Sequence, residues 1–388
     1  MLSKKLHFLF LLLTISLFSC AQKPITGAEQ TNLYFSKLEG NKIGIVANQT
    51  SRIGNIHLVD SLLNAGFDLV KVFSPEHGFR GSAEAGAIID SDIDSKTGLP
   101  IISLYGSNKK PKMDDLKGID ILIFDIQDVG VRFYTYISTL TYVMEACAEN
   151  NIPLLIFDRP NPNAHYIDGP ILEKKFQSFV GLLPIPVVHG MTLGEMALMI
   201  NGEKWLTNQV QCKLEVIQIQ HYNHQTIYQL PVSPSPNLPN DNAIALYPSL
   251  CFFEGTNISI GRGTDFPFEV FGYPNLQNKD FSFKPKSISG KSEHPLFENQ
   301  ICFGIDLRKF TNNGNRLYKL DLQYIIDIYN SYPDKSNFFT DYFNLLAGTD
   351  KLHNQIKAGL SEVEIRKSWE ADLNEFKLKR YKYILYRD

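Results

Sequence analysis

Lys42-Ile43-Gly44-Ile45-Val46-Ala47-Asn48-Gln49-Thr50 runs apolar and then stops on three polar residues. Such a run reads as a buried strand with a polar turn at its carboxyl end. Residues 56–65 follow with Ile56, Val59, Leu62 and Leu63 at helical spacing, and Gly66 supplies the stop. Residues 68–73 are the next apolar strand, closed by Ser74-Pro75. The alternation continues outward, with strands over 99–105, 120–126, 153–157 and 214–219 and helices over 137–149 and 192–201. Thr192 and Glu195 open the second of these helices as a capping box. The pattern predicts an α/β fold: a Rossmann-like, mostly parallel sheet with helices on both faces.

In such sheets ligands bind beyond the carboxyl ends of the strands. Those ends concentrate polar groups here: Asn48-Gln49-Thr50, Ser74-Pro75-Glu76-His77-Gly78, Tyr105-Gly106, Asp125-Ile126-Gln127-Asp128 and Asp158-Arg159-Pro160-Asn161-Pro162. Pro75 fixes the backbone before Glu76, and Gly78 permits a tight bend after it. A carboxyl held in such a turn against apolar surface suits a general acid; the plain alternative is a capping or solvated loop glutamate. His77 and Arg80 share its loop and are candidate substrate contacts. If the strand after residue 120 continues, Asp128, Arg132, Tyr134 and Tyr136 share one face. Arg132 then offers a fork for a carboxylate, unless it forms an internal ion pair that orders the loop. Asp158 either orients Arg159 or meets a hydroxyl, or the pair belongs to a rigid structural turn. His189 and His165 are lone histidines, a type more often structural than catalytic.

Residues 231–239 hold Pro231, Pro234, Pro236 and Pro239, a stiff stretch that reads as a domain boundary. It divides a catalytic domain over 38–230 from a smaller α+β domain over 231–388 that closes the cleft. Just beyond it, Glu254-Gly255-Thr256-Asn257 and Gly261-Arg262-Gly263-Thr264 bring a carboxylate, an amide and a guanidinium to glycine-rich backbone. A hairpin turn is the plainer reading of that segment. Ser361 and Glu364 open an amphipathic helix, and residues 379–386 read as a last strand.

The chain has 388 residues, 44% hydrophobic and 20% charged, which is ordinary composition for a two-domain globular protein. A formal charge of −3 provides no basic field for nucleic acid. The glycine fingerprint and P-loop of nucleotide binders are missing, as are GxSxG and HExxH, so neither a cofactor nor a metal is expected. Lys4 and Lys5 precede an apolar run over 6–18 that ends at Leu17-Phe18-Ser19-Cys20. This reads as a lipoprotein signal over 1–19, with Cys20 as the lipidated residue and 20–37 as a tether. Membrane contact is then expected only through that anchor, in a bacterial cell envelope. Removing 1–19 takes away Lys4 and Lys5 and no acid, which moves the formal charge from −3 to −5. Cys147, Cys212, Cys251 and Cys302 are widely spaced and sit in apolar stretches, so buried thiols are expected.

Taken in order, these motifs resemble those of the exo-β-N-acetylmuramidase family, from about Leu38 onward. The resemblance implies a Rossmann-like domain with a smaller C-terminal domain and a cleft between them. It implies release of N-acetylmuramic acid from the non-reducing ends of peptidoglycan fragments, without a nucleotide. It also implies that Glu76 is catalytic. Asp128 or Glu254, or else a tyrosine such as Tyr134, is the expected second group. Arg132, Arg159 or Arg262 is the expected counter-charge for the lactyl carboxylate. Tyr134, Asn48 and Asn257 are expected to meet the sugar and its acetamido group, with His77, Arg80, Asp158 and His189 nearby. The competing readings are a surface lipoprotein that binds muropeptides without cleaving them and a nucleotide-dependent enzyme.

Overall fold

The computed structural model describes residues 22–80, 92–277, 280–313 and 315–387. The expected signal over 1–19 and Cys20 lie outside the described residues. After helix α1 (Phe35–Leu38), strand β1 (Ile43–Ala47) leads through a small hairpin, β2 (Arg52–Ile53) and β3 (Ile56–His57), into α2 (Leu58–Asn64). Then come β4 (Leu69–Ser74), β5 (Asp92–Ile93), β6 (Pro100–Ser103), α3 (Met113–Leu116), β7 (Ile121–Asp125) and α4 (Tyr136–Glu149). Strand β8 (Leu154–Phe157), α5 (Leu193–Gly202) and β9 (Leu214–Ile217) complete the first half.

The sheet order is β5-β6-β4-β1-β7-β8-β9, parallel throughout except for β5 on its edge. The register sets Val46 beside Phe73 and Phe124, so these three share one face with the apolar sides of α4 and α5. Ile43, Ile45 and Ala47 alternate to the other face, against Leu58, Val59 and Leu62 of α2. Both faces are therefore covered, as expected. Connections from β1 run toward β4 and β6, whereas those from β7 run the other way, which places the ligand crevice near the carboxyl ends of β1 and β7. Where a dinucleotide fold has its phosphate turn, this chain has a hydrogen-bonded knot. Thr50 Oγ1 donates to Asn48 Oδ1 at 2.6 Å and accepts from Gln127 N–H at 3.0 Å, and the Ser51 hydroxyl donates to the Asp125 carbonyl.

The second half contains α6 (Asp241–Leu250) and an antiparallel sheet of β10 (Val270–Tyr273), β11 (Ser282–Phe283) and β12 (Cys302–Asp306). Helices α7 (Gln323–Ser331), α8 (Tyr342–Ala347), α9 (Lys351–Lys357), α10 (Glu362–Lys367) and α11 (Glu370–Arg380) follow. One apolar cluster continues from α4 and α5 through Leu246 and Leu250 to Phe343 and Trp369. The second half thus packs directly onto one face of the sheet's helical layer.

Three local expectations are corrected. The stretch over 20–37 is not a tether from Ile25 onward. Ile25 pairs its backbone with Gln220, Gly27 N–H donates to the Asp158 carbonyl at 2.9 Å, and Ala28 and Tyr34 are buried. The strand after residue 120 ends at Asp125, because Asp128 Oδ2 accepts Gly130 N–H at 2.6 Å and turns the chain; Tyr136 already opens α4. Residues 379–386 form no strand. The Leu385 and Tyr386 N–H groups donate to Glu195 Oε1 at 2.8 and 3.3 Å, a side-chain acceptor in place of a neighbouring strand. The proline-rich stretch is pinned to the first half: the Pro234 carbonyl accepts from Tyr134 OH at 2.8 Å and Gln49 Nε2 at 3.1 Å. Cys147, Cys212, Cys251 and Cys302 are buried free thiols, as expected.

Candidate active site

A cavity of about 250 Å³ opens at the seam of the two halves. The first half lines it with Glu76, His77, Tyr105, Tyr134, Thr135 and Tyr136, and the second with Tyr247, Glu254, Arg262, Phe268 and Tyr342. Glu76 and Glu254 are the two carboxylates among the described lining residues.

Glu76 sits two residues past the end of β4. His77 (φ 71°) and Gly78 (φ 80°) then take consecutive left-handed conformations that reverse the chain. His77 adopts this costly backbone while buried in the cavity wall, a strain of the kind that clusters at functional sites. Glu76 Oε2 accepts from Thr135 Oγ1 at 2.8 Å, and the Tyr105 phenol also bonds the carboxylate. Thr135 occupies the N-cap position of α4, so the helix that fills the core also presents this donor.

Glu254 follows α6 in a short helical turn. Its Oε1 accepts from Arg262 Nε at 2.6 Å and Nη2 at 2.5 Å, and Oε2 accepts from the Cys251 thiol at 3.3 Å. The guanidinium lies 5.3 Å from the Phe268 ring centroid, a cation–π contact. Burial alone lowers the Arg262 pKa, but the Glu254 carboxylate more than offsets it and holds the group above its ordinary value. Burial pushes the phenols of Tyr105, Tyr134, Tyr136, Tyr247 and Tyr342 well up, so each stays a neutral hydroxyl at physiological pH. The site is thus two differently held carboxylates among rigid hydroxyl donors.

The other expected site residues have different duties. Arg132 is buried off the cavity lining, and its guanidinium donates to the Pro170, Ile185, Leu346 and Ala347 carbonyls at 2.7–2.9 Å. It is neither a substrate fork nor half of an ion pair. Arg159 is buried in a two-point pair with Asp125, at 2.6 and 2.9 Å. Asp158 accepts from Thr192 Oγ1, Gly194 N–H and Tyr386 OH at 2.7–2.9 Å, fixing the start of α5. Arg80 forks onto Asp94 at 2.8 and 2.7 Å. Asn257 donates to the Asn337 carbonyl outside the cavity lining. Asn48 is buried and donates to Tyr136 OH at 2.9 Å, acting one residue behind the lining. Asp128 and His189 are buried and also off the lining, with Asp128 Oδ2 3.9 Å from His189 Nε2. Glu76, His77, Tyr134, Glu254 and Arg262 are the expected residues that the fold brings together.

Among the described residues, no group of three His, Cys, Asp or Glu is placed to hold a metal ion, and no helix is long and apolar enough to cross a membrane.

The profile of the N-terminal domain of the exo-β-N-acetylmuramidase NamZ matches residues 43–242, and that of its C-terminal domain matches 245–386. The chain belongs to the NamZ family. It is similar to the peptidoglycan β-N-acetylmuramidase NamZ of Bacillus subtilis strain 168, with 40% identity over 91% of this chain and 89% of that protein. Two crystal structures of DUF1343-family proteins from Bacteroides fragilis share the fold. One has 48% identity and a TM-score of 0.86, covering 95% of this chain and all of the other. The second has 29% identity and a TM-score of 0.82, covering 94% of this chain and 99% of the other. Glu76 falls within the N-terminal NamZ match and Glu254 with Arg262 within the C-terminal one, so the cavity needs both parts of a NamZ chain.

Tyr105, Thr135, Tyr247, Phe268 and Tyr342 are cavity residues to which the sequence reading assigned no role. Thr135 lies between Tyr134 and Tyr136, and Tyr105 stands at the polar end of a strand. Tyr247 and Tyr342 lie in helices whose patterns show only core packing, and no local signal marks them.

Proposed function

We infer that this chain is an exo-acting glycoside hydrolase that removes terminal N-acetylmuramic acid from peptidoglycan fragments. The observation that carries this reading is that Glu76 and Glu254 line one tyrosine-walled cavity in a chain of the NamZ family. The 40% identity to a peptidoglycan β-N-acetylmuramidase favours cleavage over the binding-only alternative.

Glycoside hydrolysis needs a proton for the leaving oxygen and a second group for the anomeric carbon or the attacking water. In this reading Glu76 is the proton donor, aligned by Thr135 and Tyr105. The bond between the anomeric carbon and the glycosidic oxygen breaks as that oxygen takes the proton. Glu254 is the second group, oriented by Arg262. The neutral tyrosine hydroxyls hold the sugar's hydroxyls and its acetamido group. Arg262 is the guanidinium among the described lining residues and so the counter-charge for the lactyl carboxylate. Purified protein is expected to release p-nitrophenol from p-nitrophenyl β-N-acetylmuramide and muramic acid from a muramyl disaccharide, and Glu76→Gln to lower kcat on the disaccharide, whose sugar leaving group needs the proton, by about 10²–10⁴. No release by the wild type sinks the reading.

Export and lipid anchoring at Cys20 belong to the same proposal. They are supported by Lys4, Lys5, the apolar run and the abrupt stop at Cys20. Cys20→Ala is expected to move the protein from the membrane fraction to the soluble one. A variant that stays with the membrane removes Cys20 as the anchor.

A further inference from the structure

An aromatic row leads out of the cavity. Tyr105, part of the lining, meets Phe179 edge-on with centroids 6.0 Å apart. Phe179 then stacks on Tyr142 of α4 at 6.4 Å and 11°. All three rings are half-buried, so each keeps an open surface. Ser138 Oγ donates to the Phe179 carbonyl at 2.8 Å and fixes the middle of the row. Lys109 places its ammonium 4.9 Å from the Phe179 centroid. The far end of the row opens into a second hollow, about 610 Å³, walled by Tyr142, Lys109, Lys110, Lys112 and the exposed Met113. Lys110 is neutralised by Glu145 and Glu149 at 2.6 and 2.7 Å. Among the described residues, Lys109 and Lys112 have no carboxylate within ion-pair distance.

This row has the chemistry of a glycan track. Sugar rings present apolar C–H faces that stack on aromatic rings, and ammonium groups attract carboxylates. It begins at Tyr105, which bonds the proposed proton donor Glu76, so it starts where the leaving oxygen must be. An enzyme that takes sugars from a chain end has to let the remaining glycan out on the leaving side. We propose that Tyr105, Phe179 and Tyr142, with Lys109 and Lys112, form a leaving-side subsite for an anionic glycan. The first sugar past the cut lies on Tyr105 and Phe179, and carboxylates of the following muramyl unit meet the lysines. The proposal rests on the muramidase reading of the cavity.

The test compares two substrates. One is a peptide-free tetrasaccharide with muramic acid at its non-reducing end. The other is trifluoroethyl β-N-acetylmuramide, whose leaving group is too small to reach Phe179. The ratio of kcat/KM for the glycan to that for the small glycoside is expected to fall about ten-fold in Phe179→Ala, equivalent to about 1.4 kcal/mol. Lys112→Glu, at an exposed position, is expected to lower the same ratio and guards against a folding defect in the first variant. A peptide-bearing tetrasaccharide then distinguishes the sources of the carboxylate. If Lys112→Glu affects both glycans, the lactyl group is bound; if it affects only the peptide-bearing one, the stem peptide is. A wild-type ratio in both variants overturns the subsite while leaving the muramidase reading intact. A wild-type protein that cleaves neither substrate overturns that reading, and the subsite falls with it.

Discussion

Arg132 Nη2 donates to the Ala347 carbonyl at 2.7 Å, tying the loop after β7 to the carboxyl end of α8. It also donates to the Pro170, Ile185 and Leu346 carbonyls, so the guanidinium joins the two halves as a four-point clasp. Burial pulls its pKa down to about 9, the mark of a cation held without a carboxylate. Gly348 (φ 72°) passes so close that an added Cβ would lie 2.6 Å from Arg132 Nη2. Arg132→Met leaves four buried carbonyls without their donor and is expected to cost about 3–5 kcal/mol. Urea unfolding checks this, with KM for a muramyl substrate near the wild-type value in the folded fraction. A change of less than about 0.5 kcal/mol would mean that the clasp is not structural.

Glu76 and Thr135 make a separable pair of predictions. Glu76→Gln keeps the shape and the Thr135 hydrogen bond but has no proton to give, and kcat is expected to fall by about 10²–10⁴. Thr135→Val removes one aligning bond and leaves the carboxyl, so its kcat should fall by about ten-fold or less. Equal losses in both variants would show that the hydroxyl, rather than the carboxyl, carries the chemistry. Circular dichroism of each variant confirms that α4 is retained.

The sheet was legible because short continuous apolar runs and capped helices are local signals, and the binding edge follows from topology alone. Glu76 was legible for the same reason: it stands at a strand end in a turn fixed by Pro75 and Gly78. Arg132 and Arg159 stand at the same edge with similar neighbours, yet both point inward. Whether an arginine faces a ligand or a carbonyl cluster depends on segments such as α8, more than 200 positions away in the chain. The proline-rich stretch read only as a domain boundary, because nothing local shows that the Pro234 carbonyl has a partner in Tyr134. Tyr247 and Tyr342 were hidden because a tyrosine in an apolar helix face looks the same whether its hydroxyl meets solvent, protein or sugar.

Arg262 can be assigned by the way its loss divides between kcat and KM. If it binds the lactyl carboxylate, Arg262→Ala raises KM for a muramide far more than for the matching glucosaminide, which lacks that group. If it only orients Glu254, the variant lowers kcat on both substrates equally. The expected outcome is the first, with KM for the muramide rising about ten-fold or more, a loss typical of a charged hydrogen bond. Steady-state kinetics on the two p-nitrophenyl glycosides decides it.

Asp128 predicts a pH dependence of stability. Its carboxyl is buried, accepts N–H donors from Gly130 and Val129, and is pushed by burial up to about 7. Asp158 moves the same way, to about 6, again through burial. Between the unfolded value and the raised one, the folded chain binds more protons than the unfolded chain. Stability from this group is therefore greatest below about pH 4 and is lost as pH rises through 7. Buried His57 and His189, lowered by burial to about 4 and about 3, act in the opposite sense over part of that range. The wild-type profile alone therefore does not isolate Asp128, but the difference between wild type and Asp128→Asn does. The amide keeps an acceptor for Gly130 and cannot ionise. The variant should match the wild type near about pH 4 and exceed it near about pH 8, by up to about 4 kcal/mol. Urea unfolding at both pH values checks this, and a difference independent of pH would show that burial does not raise the Asp128 pKa in the folded protein.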